Sequence, residues 1–120
     1  MKTYRDLIFW QKGMDLVEDT YKLTKQFPAE ELYCLTQQIR RCVISIPSNI
    51  AEGYGRNHTK DYLRFLQISS GSLYELQTQI EIALRLEYIL LEDYDKVNKL
   101  SIEIEKMLSS LIYKLKQSTK

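Results

Sequence analysis

The chain is poor in the residues from which catalytic centres, metal sites and disulfide scaffolds are built. Its 120 residues include one histidine, one tryptophan, two prolines, two cysteines and four glycines. A lone histidine cannot supply the His and Cys clusters of a zinc site. No E-x-x-H pair, G-x-S-x-G elbow or complete G-x-G-x-x-G loop is present. Cys34 and Cys42 would stand about 12 Å apart on one helix, beyond disulfide reach, and read as reduced thiols. No apolar run approaches the roughly 20 residues of a membrane span. The opening MKTYRDLIFW lacks the long apolar stretch and cleavage site of a signal peptide. The expectation is a cytoplasmic protein with no membrane role, no metal and no cofactor. A net charge of +1 adds no global attraction to nucleic acid or acidic lipid.

Helical periodicity is what the chain has in abundance. With 44% hydrophobic and 28% charged residues, its length fits one globular domain over residues 1–120. At 100° per residue, Leu7, Trp10, Met14, Val17 and Tyr21 form one stripe of a first helix, about Tyr4 to Gln26. Phe9, Leu16 and Leu23 form a second stripe beside it. Pro28 separates this helix from the next, about Ala29 to Tyr54, where Leu32, Leu35, Ile39, Val43, Ile46 and Ile50 align. A third helix, about Lys60 to Glu87, carries Tyr62, Leu66, Ser69, Leu73, Leu76, Ile80 and Leu84 on one face. A turn near Ile89 to Glu92 leads to a fourth, with Val97, Leu100, Ile104, Leu108, Leu111 and Leu115. Four long amphipathic helices with short connections predict an all-α, antiparallel up-down four-helix bundle. Leu63, Tyr74, Ile82, Ile102 and Tyr113 fall off these stripes and, with the doubly apolar first helix, favour self-association.

The stretch SIPSNIAEGYGRN, Ser45 to Asn57, breaks the helical pattern. Pro47 has no N–H and its ring meets the carbonyl of Val43, so the second helix is expected to kink there. Gly53 and Gly55 read as its stop, and Asn57 or Thr59 as the cap of the third helix. On the other side of the second helix, Gln38, Arg41, Ser45, Ser48, Asn49, Glu52 and Arg56 make a polar stripe. An enzyme would use Ser45 or Ser48 as nucleophile, with Glu52 or His58 as base and Arg41 as anion clamp. A serine nucleophile needs an oriented base within hydrogen-bond reach, and nothing in this spacing orients one. The chain therefore reads as non-enzymatic. Gln38, Arg41, Ser45, Asn49 and Glu52 are expected in a subunit interface, where buried polar stripes set register. In SSGS, Ser69 to Ser72, the small residues would let a neighbouring helix approach.

Charge falls into blocks. Residues 40–64 sum to +3, residues 75–95 to −5 and residues 106–120 to +4. Together FPAEELYCLTQQIRRCVISIPSNIAEGYGR and YLRFLQISSGSLYELQTQI resemble the 23S rRNA intervening-sequence proteins. The shared pattern is Pro28, Glu31, Leu35, Gln38, Arg41, Ser45, Pro47, Asn49, Ala51, Glu52, Gly53 and Gly55, then Gly71, Ser72, Glu75 and Leu76. The resemblance implies a four-helix bundle assembled as a homopentamer. It is similar to the accessory variability determinant protein of diversity-generating retroelements, which is basic and binds nucleic acid and a reverse transcriptase. By that likeness the partners would be other copies of the chain and RNA or a nucleic-acid-processing protein. Arg40, Arg56, Lys60, Arg64, Lys114 and Lys116 would be the phosphate contacts. The alternative is a protein-binding scaffold with no nucleic-acid role. Glu87 stands where a glycine is expected in the turn before the fourth helix.

Overall fold

A computed structural model describes residues 3–118, and among them every regular element is helical. The four α-helices are α1 (Ile8–Thr24), α2 (Gln37–Tyr54), α3 (Thr59–Arg85) and α4 (Leu91–Ser118). Helix α1 packs on α2 and α4, and α3 packs on the same two, so the four stand at the corners of a square. Short connections make successive neighbours antiparallel, and the bundle measures 46 × 22 × 21 Å. One apolar core runs its length. Leu16, Ile39, Val43, Ile46, Ile50, Leu66, Leu73, Leu76, Ile80, Ile104 and Leu108 are all fully buried.

Helix α1 turns inward the narrower of its two stripes. Phe9, Leu16 and Leu23 are buried, together with Gly13 and Thr20, while Met14 is 41% exposed. The two helices touch at this position: a Cβ on Gly13 would lie 3.4 Å from the Cβ of Pro47, at ordinary van der Waals distance, so a methyl group would fit against α2's proline. Trp10, Val17 and Tyr21 are left as a half-buried flank.

The second helix starts later than its periodicity predicts. A 3₁₀ turn, Ala29–Glu31, and a π-helical turn, Leu32–Thr36, precede α2. Glu31 accepts a hydrogen bond from the Leu35 N–H (3.4 Å) and another from the Tyr88 hydroxyl (2.7 Å). The π turn holds more residues than an α turn and so shifts the helical phase. Leu32, expected in the core, is consequently 46% exposed.

Helix α2 then runs unbroken through Pro47. Side chains add hydrogen bonds to carbonyls around the proline. Ser48 Oγ donates to Ile44 O (2.7 Å), Asn49 Nδ2 to Ser45 O (2.8 Å) and Ser69 Oγ, from α3, to Ile46 O (2.9 Å).

Helix α2 ends at the glycine pair as expected, with Tyr54 its last residue, but the two glycines serve differently. Gly55 occupies the C-cap position with an ordinary helical backbone (φ −77°), a conformation open to any residue. Gly53 lies inside the helix and is buried; a Cβ there would meet Phe65 Cβ at 2.6 Å and Tyr62 Cδ1 at 3.1 Å. Gly53 is thus a close-approach residue that lets α3 fold back on α2. His58, rather than Asn57 or Thr59, takes the N-cap position of α3, with no side-chain cap hydrogen bond.

At the far end of α3, Glu87 adopts a left-handed backbone (φ 63°). The Tyr88 N–H bonds to Ala83 O and the Glu87 N–H to Leu84 O, both at 2.9 Å, which is a Schellman closure. The glycine-like position anticipated in the sequence therefore exists, and glutamate fills it at a conformational cost.

Candidate nucleic-acid and subunit interfaces

Five of the six cations in the candidate phosphate-binding set come to one end of the bundle. Arg56, Lys60 and Arg64 surround the α2–α3 connection. Because α4 runs antiparallel to α3, Lys114 and Lys116 in its last turns lie at that same end. Two aromatic contacts organise the arginines: the guanidiniums of Arg56 and Arg64 stand 4.8 and 5.2 Å from the Phe65 ring centre. Each also faces an acid, Arg56 against Glu52 at 3.1 Å and Arg64 against Asp61 at 3.8 Å. Such exposed pairs are weak, on the order of 0–1 kcal/mol, so a phosphate could compete for either arginine. Lys60 and Lys114 are exposed and have no ion-pair partner among the described residues. Lys116 borders a shallow cleft between α3 and α4 beside Tyr74 and Tyr113. Lys120 lies outside the described residues.

Arg40 does not join them. It stands in the first turn of α2, about 24 Å along the helix from Arg56. Its Nε donates to Thr24 Oγ1 (2.9 Å) and its guanidinium lies 4.7 Å from the Tyr21 ring centre. These contacts tie α2 to the end of α1. Neither Tyr21 nor Phe65 was legible as an arginine partner, because their proximity arises between helices.

The polar stripe of α2 meets a matching stripe on α3 within the chain. Ser45 Oγ and Ser72 Oγ are 2.6 Å apart, and Asn49 Nδ2 also reaches Ser45 Oγ (3.2 Å). Gln79 Nε2 donates to Glu75 Oε2 (3.1 Å) and Gln38 Oε1 (3.5 Å). Cys42 Sγ donates to Ser72 O (3.0 Å). Burial, reinforced by the Glu75 carboxylate, pushes the Cys42 thiol up to about 12, so it is no thiolate nucleophile at neutral pH. Cys34 is exposed. Of the candidate interface residues, Gln38, Ser45 and Asn49 are thus engaged along this seam. Arg41 is exposed with no partner among the described residues, and Glu52 is exposed and paired to Arg56. In SSGS, Ser69 and Ser72 face α2, but Gly71 is exposed and a Cβ there would meet nothing within 4 Å. The helix approach expected at Gly71 is therefore absent within this chain.

The groups that an enzyme would need are occupied elsewhere. Ser48 donates back to Ile44 O, Ser45 pairs with Ser72, and the His58 imidazole has no hydrogen-bond partner among the described residues. No group of three metal-ligating residues occurs among the described residues, and no described helix is long and apolar enough to cross a membrane.

One surface feature escaped the periodicity. Between α1 and the π turn lies a cleft of about 470 Å³ lined by Tyr21, Leu32, Tyr33, Arg40, Arg41 and Ile44. Leu32, Tyr33 and Ile44 are 46%, 83% and 43% exposed. Tyr33 belongs to none of the apolar stripes, and the π turn directs it and Leu32 outward.

These features define an all-α bundle whose chemistry lies in charged ends and seams between helices. The chain belongs to the family described as 23S rRNA-intervening sequence proteins, whose family model matches residues 5–110. It is also similar to a crystal structure from Bacteroides thetaiotaomicron, a protein of unknown function from the S23 ribosomal protein family. The TM-score is 0.82 at 29% identity, over 88% of this chain and 96% of that one. Among curated proteins, none matches.

Proposed function

We propose that this protein is a non-enzymatic, homo-oligomeric interaction module that binds nucleic acid, RNA or an RNA–protein complex, through phosphate contacts at its basic end. The observation that carries the reading is topological. Arg56, Lys60 and Arg64 from one basic block meet Lys114 and Lys116 from another, across an acidic block in sequence, because α4 returns alongside α3. Arg56, Lys60, Arg64, Lys114 and Lys116 would supply charge without base readout. The family's link to rRNA genes agrees with this partner class. A homopentamer, as the family resemblance implies, would repeat the end five times and offset the modest net charge of one chain. In that assembly the exposed Arg41 and Glu52 of α2 would face a neighbour. A bend of α2 at Pro47, where the Val43 carbonyl loses its helical donor, would shape that face. Cytoplasmic residence fits two reduced thiols.

The test is binding of a fluorescein-labelled RNA, followed by anisotropy across salt concentrations. Lys60→Glu and Arg64→Glu should each weaken binding at least 10-fold and lower the salt slope by about 1 per lost phosphate contact. Arg40→Gln should leave the slope unchanged. Affinity that is independent of salt would sink the proposal. The second reading, a protein-binding scaffold, is favoured by one observation, the apolar cleft flanked by exposed Leu32 and Tyr33. It predicts an assembly whose partner survives nuclease treatment.

A further inference from the structure

The cleft between α1 and the π turn has a counterpart on the opposite edge of the same molecule. Its floor is apolar and aromatic, its rim carries Arg40 and Arg41, and Arg41 has no partner among the described residues. At the α3–α4 turn the chain exposes three leucines, Leu86, Leu90 and Leu91, at 51%, 61% and 61%. Glu87 and Glu92 flank them, both exposed and both without a partner among the described residues. One patch is therefore an apolar cleft with a basic rim, and the other an exposed apolar turn flanked by acids.

Their positions also match. The Tyr88 hydroxyl donates to Glu31 (2.7 Å), and the Phe27 and Tyr88 rings are 5.6 Å apart. The α1–α2 connection and the α3–α4 turn consequently stand at the same height on the bundle. In the square of helices, however, the α1–α2 edge lies opposite the α3–α4 edge. Copies related by rotation about an axis parallel to the bundle keep each patch at its height. Two different patches at equal height on different edges are what a head-to-tail contact requires, and such a contact closes into a ring where the rotation between copies divides the circle.

We infer that the occupant of the cleft is the α3–α4 turn of a second copy of this chain. Leu90 and Leu91 enter beside Tyr33 and Leu32, and Glu92 and Glu87 face Arg41. This deepens the homo-oligomer reading and rests on it. It is independent of whether the basic end binds nucleic acid. Charge complementarity across the contact would favour this register over others, since like-charged alternatives repel.

Charge reversal tests the pairing. Arg41→Glu alone, and Glu87→Arg with Glu92→Arg, should each lower the light-scattering mass at a fixed low-micromolar concentration. Each should weaken association at least 10-fold while far-UV circular dichroism stays helical. Mixed in equal amounts, the two variants should reassemble. Each reversed cleft then meets a reversed turn, and each native cleft a native turn, so the two variants alternate, and a ring of five regains four matched contacts with one left mismatched. A wild type that assembles while both variants keep its mass would overturn the pairing and leave the oligomer reading standing. So would variants that dissociate yet fail to recover on mixing. A monomeric wild type would overturn both.

Discussion

The two ends of this bundle are closed by different physics. At the basic end, the α2–α3 connection is short and its backbone ordinary. Closure depends on a missing side chain, since Gly53 lets Phe65 and Tyr62 press against α2. At the acidic end the backbone itself is irregular: a 3₁₀ turn, a π turn and a left-handed Glu87 occur within it. Polar side chains hold that end, with Tyr88 bonded to Glu31 and Gln26 to Asp93 (3.2 Å). The hydrogen bond to Glu31 also raises the Tyr88 phenol above its ordinary range, because the carboxylate stabilises the protonated hydroxyl. A packed end leaves its charges free to face outward. A hydrogen-bonded end commits some of its acids internally and turns leucines and tyrosine toward solvent.

The contrast can be broken most sharply at Gly53. Gly53→Ala places a methyl group 2.6 Å from a Cβ whose position the backbone of α3 determines. The loss should approach about 3 kcal/mol, seen as a lower urea midpoint. Gly55→Ala, at an ordinary helical backbone, should cost far less, and equal losses at the two sites would refute the close-approach reading. At the other end, Tyr88→Phe removes a hydrogen bond to a carboxylate and should cost about 1.5 kcal/mol in the same assay. A neutral result would mean that ring packing on Phe27 alone holds the turn. The smallest effect has the opposite sign. Glu87→Gly relieves a left-handed non-glycine residue and should stabilise the protomer by about 1 kcal/mol.

Much of the fold was legible because it is local. Val43, Ile46 and Ile50 kept their register across Pro47, and Leu66, Leu73, Leu76 and Ile80 lie on one buried stripe as the 3.6-residue period requires. The errors have a common origin. Helix α1 offered two apolar stripes, and periodicity alone does not choose between them. The inward stripe is the one that includes Gly13, which lies against Pro47 of α2. Leu32 left the core because a π turn, held by Glu31, changed the phase ahead of α2. Gly55 does mark the end of α2, whereas Gly53 is explained by a residue in the next helix.

The candidate sites were less legible still. Arg56 and Arg64 were recognised as cations, but the ring between them belongs to a helix-pair geometry. The stripe running from Gln38 to Glu52 was recognised as polar, while its partners Ser72, Glu75 and Gln79 emerged only when α3 was laid beside it.

By itself the sequence determined four helices, their approximate limits, most of the buried faces and the blocks of charge. Each of these depends on residues within a turn or two of one another, where spacing along the chain equals spacing in space. Only the tertiary structure decided which apolar stripe of α1 turns inward, which polar atoms pair across the α2–α3 seam, and that Arg56, Lys60 and Arg64 share one end with Lys114 and Lys116. Those outcomes depend on distances between helices, set by where a side chain is absent as much as by where one is present.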